Sequence, residues 1–509
     1  MSALILISSA ALMTTTASAV ESKDFEYEVT SAGNVVITEY VGKDAEVTVP
    51  GAIEGKPVTA LGSYSFAYNK TLESVIIPTG VKSIGDSAFS NCEKLSKVSI
   101  PETVTSIRDS AFQYTEKLTQ VTLPSKITTI SSCLFYSSGI KSVNIPEGVK
   151  KIESTAFFDC ENLESVSMPD TVNEIDYSVF SECKNLQSVH LSKNLKVLPG
   201  GVFSETESLT EISLPSKITK IGSQAFWMSG IKKVSIGKNI KTIEEYAFDK
   251  CPKLTAIKVN KKNKNYYSKN GVLYNKKKTE LITYPGGKSG KKFTVGKDVR
   301  KITAYAFSGN AKLDKVSFKK GVKTISGNSF EESSIKSLKL PVTVKKIGHE
   351  AFIRCDSLES VTIPESVELI KDNAFTECKS LKKLTFKGNS KLELGWSVFE
   401  GCTALKTVSA PVAKKSGGRL FFACTKLNKV KISKNVKMIF CEDYAECPNL
   451  NKVTIPATVK KIGYRAFGYI NYYDYSFDKN DNLVIKGTKN SAAHKYAKDN
   501  GFTFKKIKK

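Results

Sequence analysis

The sequence predicts a repeat solenoid, in the α/β to mainly β range, of about 17 coils of 22–24 residues. Three observations predict it. A Phe recurs in phase at 66, 89, 112, 135, 157, 180, 203, 226 and 248, and again at 307, 330, 352, 375, 399 and 421, with Tyr444 in the Phe place before Phe467. Around each Phe the apolar residues keep fixed offsets, so that a coil reads L-x-x-V-x-I-P-x-x-V-x-x-I-G-x-x-A-F-x-x-C. Nine of the 11 cysteines follow the Phe mark by three residues. A period of this length means one supersecondary unit per coil, each burying its neighbour's apolar face.

Residues 1–19 carry no charge, apolar residues dominate Ala3 to Met13, and Ala17-Ser18-Ala19 has the form of a cleavage site. The stretch reads as a signal peptide lacking its basic n-region, the alternative being a disordered apolar tail, and it is too short to span a bilayer. Val35–Thr38 and Val47–Pro50 read as strands of an N-terminal cap, which an open solenoid end requires.

Within a coil, V-x-I buries one face of a short strand and exposes the other. Pro101 and its equivalents end that strand because Pro has no N–H to donate. Ala-Phe-x-x-Cys reads as a single helical turn. Its strictly phased cysteines suit a small buried hydrophobe, so mostly free thiols are expected, although Cys378 and Cys402 would be close enough to bridge. Cys133 and Cys441 fall outside that slot and are expected to be exposed.

The wide interval from Phe248 to Phe307 holds two alternating strands, around Val272–Tyr274 and Leu281–Tyr284, flanking a Lys-rich turn; it reads as a β-hairpin insertion. Gly286-Gly-Lys-Ser289 fails as a phosphate loop, since Ile282 stands where Gly is needed and no helix follows. After Phe467 come a Tyr- and Asp-rich loop, a strand at Leu483–Ile485, a helix from Ala492 to Asp499 N-capped by Ser491 and closed by Gly501, and a last strand at Phe502–Phe504. The expected division is a signal peptide (1–19), an N-terminal cap (20–58), a first repeat block (59–259), the insertion (260–297), a second repeat block (298–470) and a C-terminal cap (471–509).

The repeated pattern resembles the BspA-like leucine-rich repeats of secreted and surface proteins, over nearly all of residues 59–470. The resemblance implies a right-handed leucine-rich-repeat coil, a place outside the cell or on its surface, and adhesion to host proteins or other cells.

Composition narrows the function further. The chain has 76 Lys and Arg against 50 Asp and Glu, a net charge of +26, yet only five of the basic residues are Arg. Arg is the bidentate reader of phosphate and guanine; a Lys excess suits a surface resting against anionic polymer, or reflects an AT-rich genome. His190, His349 and His494 stand in unrelated contexts with no metal-ligand spacing, and no cofactor is expected. His349 with Cys355 is the nearest nucleophile pair in sequence, but Cys355 occupies the structural slot.

What remains is surface, and no enzymatic activity is expected. The outward strand positions are small and polar in the first block (Ser99, Thr122, Ser142, Ser165) and turn basic in the second: Lys315, Lys339, Lys383, Lys429, Lys431 and Lys452. Few aromatics share those positions, which disfavours base or sugar stacking along the strands. Tyr266, Tyr267, Tyr274 and Tyr284 of the insertion make the one aromatic-plus-basic cluster, with stiffening of the solenoid as its simpler role. The expected partner is a host or cell-surface protein or an anionic glycan; nucleic acid is disfavoured other than as a non-specific polyanion. An electrostatic polyanion binder, holding teichoic acid, sulfated glycan or extracellular DNA on a Lys stripe, is the alternative.

Overall fold

The computed structural model describes residues 22–388, 391–470 and 478–507. The expected signal peptide and residues 471–477 of the expected loop lie outside the described residues. The chain divides into two compact units, Met1–Ser192 and Lys193–Lys509. Each is a mainly β solenoid.

In the first unit every regular coil contributes two short strands. Ser74–Ile76 and Lys97–Ser99 stack in parallel with Val75 opposite Val98, and Ser83–Ile84 stacks likewise on Ser106–Ile107. In Lys97–Ser99 the middle Val is buried and both flanking residues are exposed, the period-2 pattern of a half-buried strand.

The Ala-Phe-x-x-Cys segment is not the helical turn expected. Ala88, Ser90 and Cys92 N–H close turns onto the Gly85, Ser87 and Phe89 carbonyls, while Ser87, Phe89 and Asn91 N–H donate to Asp109, Ala111 and Gln113 of the next coil at 2.8–2.9 Å. A helix would send those alternate donors back four residues, but stacking supplies acceptors one coil on, so the segment becomes a ladder of overlapping turns. The alternation requires left-handed backbone two residues either side of the Phe: Ser87 and Asn91 (φ 54 and 60), Ser110 and Tyr114 (58 and 57). For non-glycine residues this costs about 1 kcal/mol each, which the ladder offsets.

Inside the ladder Phe66, Phe89, Phe112, Phe135 and Phe157 are buried and stack with ring centroids 5.0–5.7 Å apart. Tyr40 continues this column ahead of Phe66 at 5.3 Å, and Phe25, on the antiparallel strand Phe25–Val29, lies edge-on to Phe66.

The second unit repeats the plan. Phe203, Phe226 and Phe248 stack at 5.6–5.7 Å, and a longer column runs from Phe307 to Phe467 with steps of 4.7–5.6 Å. A helix α1 (Ala492–Asn500) closes the end, stopped by Gly501 at φ 73. Ser491 holds the N-cap position but makes no side-chain cap bond, contrary to expectation. Tyr496 of α1 instead caps the ladder: its hydroxyl accepts the Phe467 N–H and donates to the Phe467 carbonyl, both at 2.9 Å, standing in for a further coil. Thr503–Lys506 adds a last parallel strand on Val484–Gly487.

Candidate functional site

The repeated framework residues are fully engaged. All 11 cysteines are free thiols, and the nine phased ones are buried. Each donates Sγ–H to the Phe carbonyl of the preceding coil, as Cys92 does to Phe66 (3.0 Å), Cys251 to Phe226 (2.8 Å) and Cys378 to Phe352 (3.2 Å). Burial pushes the Cys92, Cys160 and Cys251 thiols up to about 12, so they stay protonated and unreactive at neutral pH. Cys355 shares this fate, donating to Phe330 O at 3.0 Å, while His349 lies against Glu350 at 3.2 Å. Cys133 and Cys441 are half-buried rather than exposed. Among the described residues no group of His, Cys, Asp and Glu could hold a metal ion.

The candidate lysines all point outward: Lys315, Lys339, Lys383, Lys429, Lys431 and Lys452 are exposed on strands whose middle residues are wholly or half buried. Parallel register sets their neighbours. Lys315 sits beside Lys292 on one side and Ser337 on the other, and two serine steps (Ser337, Ser360) separate it from Lys383. Lys429 and Lys431 flank Val430 on one strand, with Thr407 and Ser409 beside them. The charge is therefore patchy along the face, densest toward the chain end. There Thr454 pairs with Lys486, which pairs with Lys505. The ammonium of Lys452, then that of Lys505, holds Lys486 below the usual lysine range. Lys292, Lys486 and Lys505 were missed from sequence because they lie in segments read as insertion and cap; the x-V-x alternation around them was the available signal.

The interval from Phe248 to Phe307 is a coil with strands spliced into it. Tyr266–Lys269 and Val272–Asn275 pair antiparallel across Asn270-Gly271, both at positive φ (51 and 80), the two-residue hairpin that Asn-Gly favours. Val272–Asn275 then pairs antiparallel with Glu280–Thr283, which pairs in parallel with Lys301–Ile302 and so serves as the coil's second strand. Three strands stand where two were expected.

The four tyrosines of the insertion do not form one cluster. Tyr284 is 4% exposed, stacks on Phe307 at 5.3 Å and donates its N–H to Ala306 O at 2.8 Å. It is a column residue, and a ring so enclosed has no face for a ligand. Tyr266 accepts the Ile243 N–H at 2.7 Å, a structural bond. Tyr274 is half-buried, which pushes its hydroxyl up to about 12, and it touches Tyr267, over whose ring Lys278 Nζ lies at 4.5 Å. Gly286 and Gly287 are packing glycines: a Cβ on Gly287 would meet the Pro252–Leu254 backbone within 2.8 Å.

The spliced coil lacks a full turn segment, so Tyr246 and Tyr305 meet across it hydroxyl to hydroxyl, and Lys250 reaches Glu332 at 2.8 Å. A cavity of about 320 Å³ lies there, lined by Tyr246, Phe248, Asp249, Glu280 and Thr303 among others. Burial raises the Asp249 carboxyl to about 6.

Comparison with known proteins matches residues 59–187, 178–289, 284–393 and 345–474 to the model described as the BspA type leucine rich repeat region (6 copies). Similar solved structures include a leucine-rich cell surface protein from Faecalibacterium prausnitzii (24% identity, 90% of this chain and 96% of that one, TM-score 0.41). A leucine-rich repeat protein from Eubacterium ventriosum gives 22% identity, 88% and 92% coverage and a TM-score of 0.45. One from Bacteroides ovatus gives 22%, 92% and 98%, and 0.42. No curated protein matches the sequence. Among the described residues no helix is long and apolar enough to cross a membrane.

Proposed function

The chain belongs to the BspA-type leucine-rich-repeat family, and on that premise we propose that it is a non-catalytic recognition scaffold, secreted or held at the cell surface. Its partner is a host or cell-surface protein or an anionic glycan, and the strand face of the solenoid is the binding surface. One observation carries this reading. Phe, Leu, the phased Cys and the inner apolar residue of the strands are consumed by packing, whereas the outward strand positions recur from coil to coil with largely exposed side chains. Solenoids bind through such extended faces. Mostly small polar positions in the first unit, with Ile76 and Lys97 among them, and more lysines in the second give a surface that the packing of the core does not dictate.

The crowding of Lys452, Lys486 and Lys505 favours a second reading, an electrostatic hold on teichoic acid, sulfated glycan or extracellular DNA. Salt separates the two. The protein is captured on host matrix, on mucin and on cell wall at low and at physiological salt. Retention that survives the change supports directed contacts; a steep fall supports the electrostatic reading. Absence of capture on all three would refute both.

A further inference from the structure

A second basic surface lies away from the strand face, on the corner that joins the two strands of successive coils. Thr219 N–H donates to Lys196 O and Lys241 N–H to Thr219 O, at 2.8 and 2.7 Å, so positions 196, 219 and 241 stand one coil apart in a column. With the neighbouring loop positions they enclose an open groove of about 670 Å³ walled by Lys196, Lys217, Lys238, Lys241, Lys262 and Lys264. The rest of its lining is Thr219, Asn239 and Asn265, with no carboxylate and no aromatic ring.

Two features set this groove apart from the general lysine excess. Among the described residues none of the six lysines is in an ion pair, although the same corner is neutralised elsewhere: Lys345 is paired with Glu368 of the next coil at 2.7 Å. The loops that carry the lysines are also pinned. Asn239 Nδ2 donates to Ser216 O at 2.9 Å, and Asn263, 1% exposed, donates to Gly237 O and Ile240 O at 2.8 and 2.9 Å. Unpaired like charges held on rigid loops along one line are costly to bring together unless a counter-charge of the same linear form is the intended occupant.

We propose that this groove binds a linear polyanion whose tetrahedral anions, sulfate or phosphate, repeat along an unbranched chain. Lys in place of Arg, and the missing aromatic rings, fit a point-charge match to such anions and offer nothing for a base to stack on. The inference does not depend on the strand-face reading.

Binding of dextran sulfate and of inorganic polyphosphate to the full chain is measured over a salt series. Three proteins are compared: wild type, a groove variant with Lys196, Lys217, Lys238, Lys241, Lys262 and Lys264 changed to Gln, and a strand-face variant with Lys315, Lys339, Lys383, Lys429, Lys431 and Lys452 changed to Gln. All these lysines are exposed, so both variants should fold. The groove variant should lose at least about tenfold in affinity, and the slope of log affinity against log salt should fall by about one for each contacting lysine removed, a clearly larger loss than the strand-face variant shows. Loss with both polymers supports any tetrahedral-anion chain; loss with one names the source. Undiminished binding by the groove variant, a loss as large or larger in the strand-face variant, or no binding by wild type overturns the proposal. So does tighter binding of duplex DNA than of either polymer, which would make the ligand a nucleic acid.

Discussion

The turn side and the strand face of one coil use their residues in opposite ways. On the turn side Phe375 stacks between Phe352 and Phe399 at 4.8 and 5.1 Å, its N–H is bonded to Val398 of the next coil, and Cys402 donates to its carbonyl. Alternate N–H groups there, the phased thiols and the rings all reach into an adjoining coil. On the strand face, Lys383 has Ser360 beside it in the ladder and no ion pair among the described residues. The same 23-residue step therefore builds a column that tolerates little and a face that tolerates much. Stability resides in the first, and the second is the surface for which binding is proposed.

The largest effect should come from breaking the column. Phe375→Ala removes a wholly buried ring and should cost about 3–5 kcal/mol, read as a lower denaturant midpoint. Next comes Asp443, a buried carboxyl on the turn side that accepts the Phe440 and Leu420 N–H groups. Burial raises it from 3.8 to about 7. The folded chain thus holds a proton that the unfolded chain releases, so this group's contribution to stability falls as pH rises from 3.8 to about 7. Asp443→Asn should flatten that part of the pH–stability profile, and an unchanged profile would show that Asp443 is already ionised in the fold.

The thiols sharpen the contrast at lower cost. In the native protein at neutral pH an aromatic disulfide reagent should modify Cys133 and Cys441 first, and the nine buried thiols only on unfolding. Early reaction of all 11 would mean the column breathes. The smallest effect belongs to the face: Lys383→Gln should change stability by less than about 0.5 kcal/mol in the same denaturation experiment.

The column was legible in the sequence because packing demands one residue type at a fixed interval. Its turn conformation was not, since the left-handed positions hold many residue types, Ser, Tyr, Glu, Arg and Asn among them, and Gly marks it only at 201, 309 and 401. Tyr40 and Tyr284 escaped the phasing for a related reason: only Ile282 and Thr283 separate Leu281 from Tyr284, whereas four residues separate Ile84 from Phe89. Asn270-Gly271 is a hairpin signal readable in the sequence. At the candidate site, x-V-x alternation showed which lysines face outward. Which lysines neighbour one another across coils depends on register, as does the groove at Lys196–Lys264, and that emerges only when the coils are stacked.

The strand face is proposed to bind without supporting the fold. The most direct test takes the strand-face variant, with Lys315, Lys339, Lys383, Lys429, Lys431 and Lys452 changed to Gln, and measures its unfolding temperature and its capture on the surface that retains wild type. Loss of capture at an unchanged unfolding temperature is the predicted result. Full capture, or a fall in unfolding temperature that accounts for the loss, would contradict it.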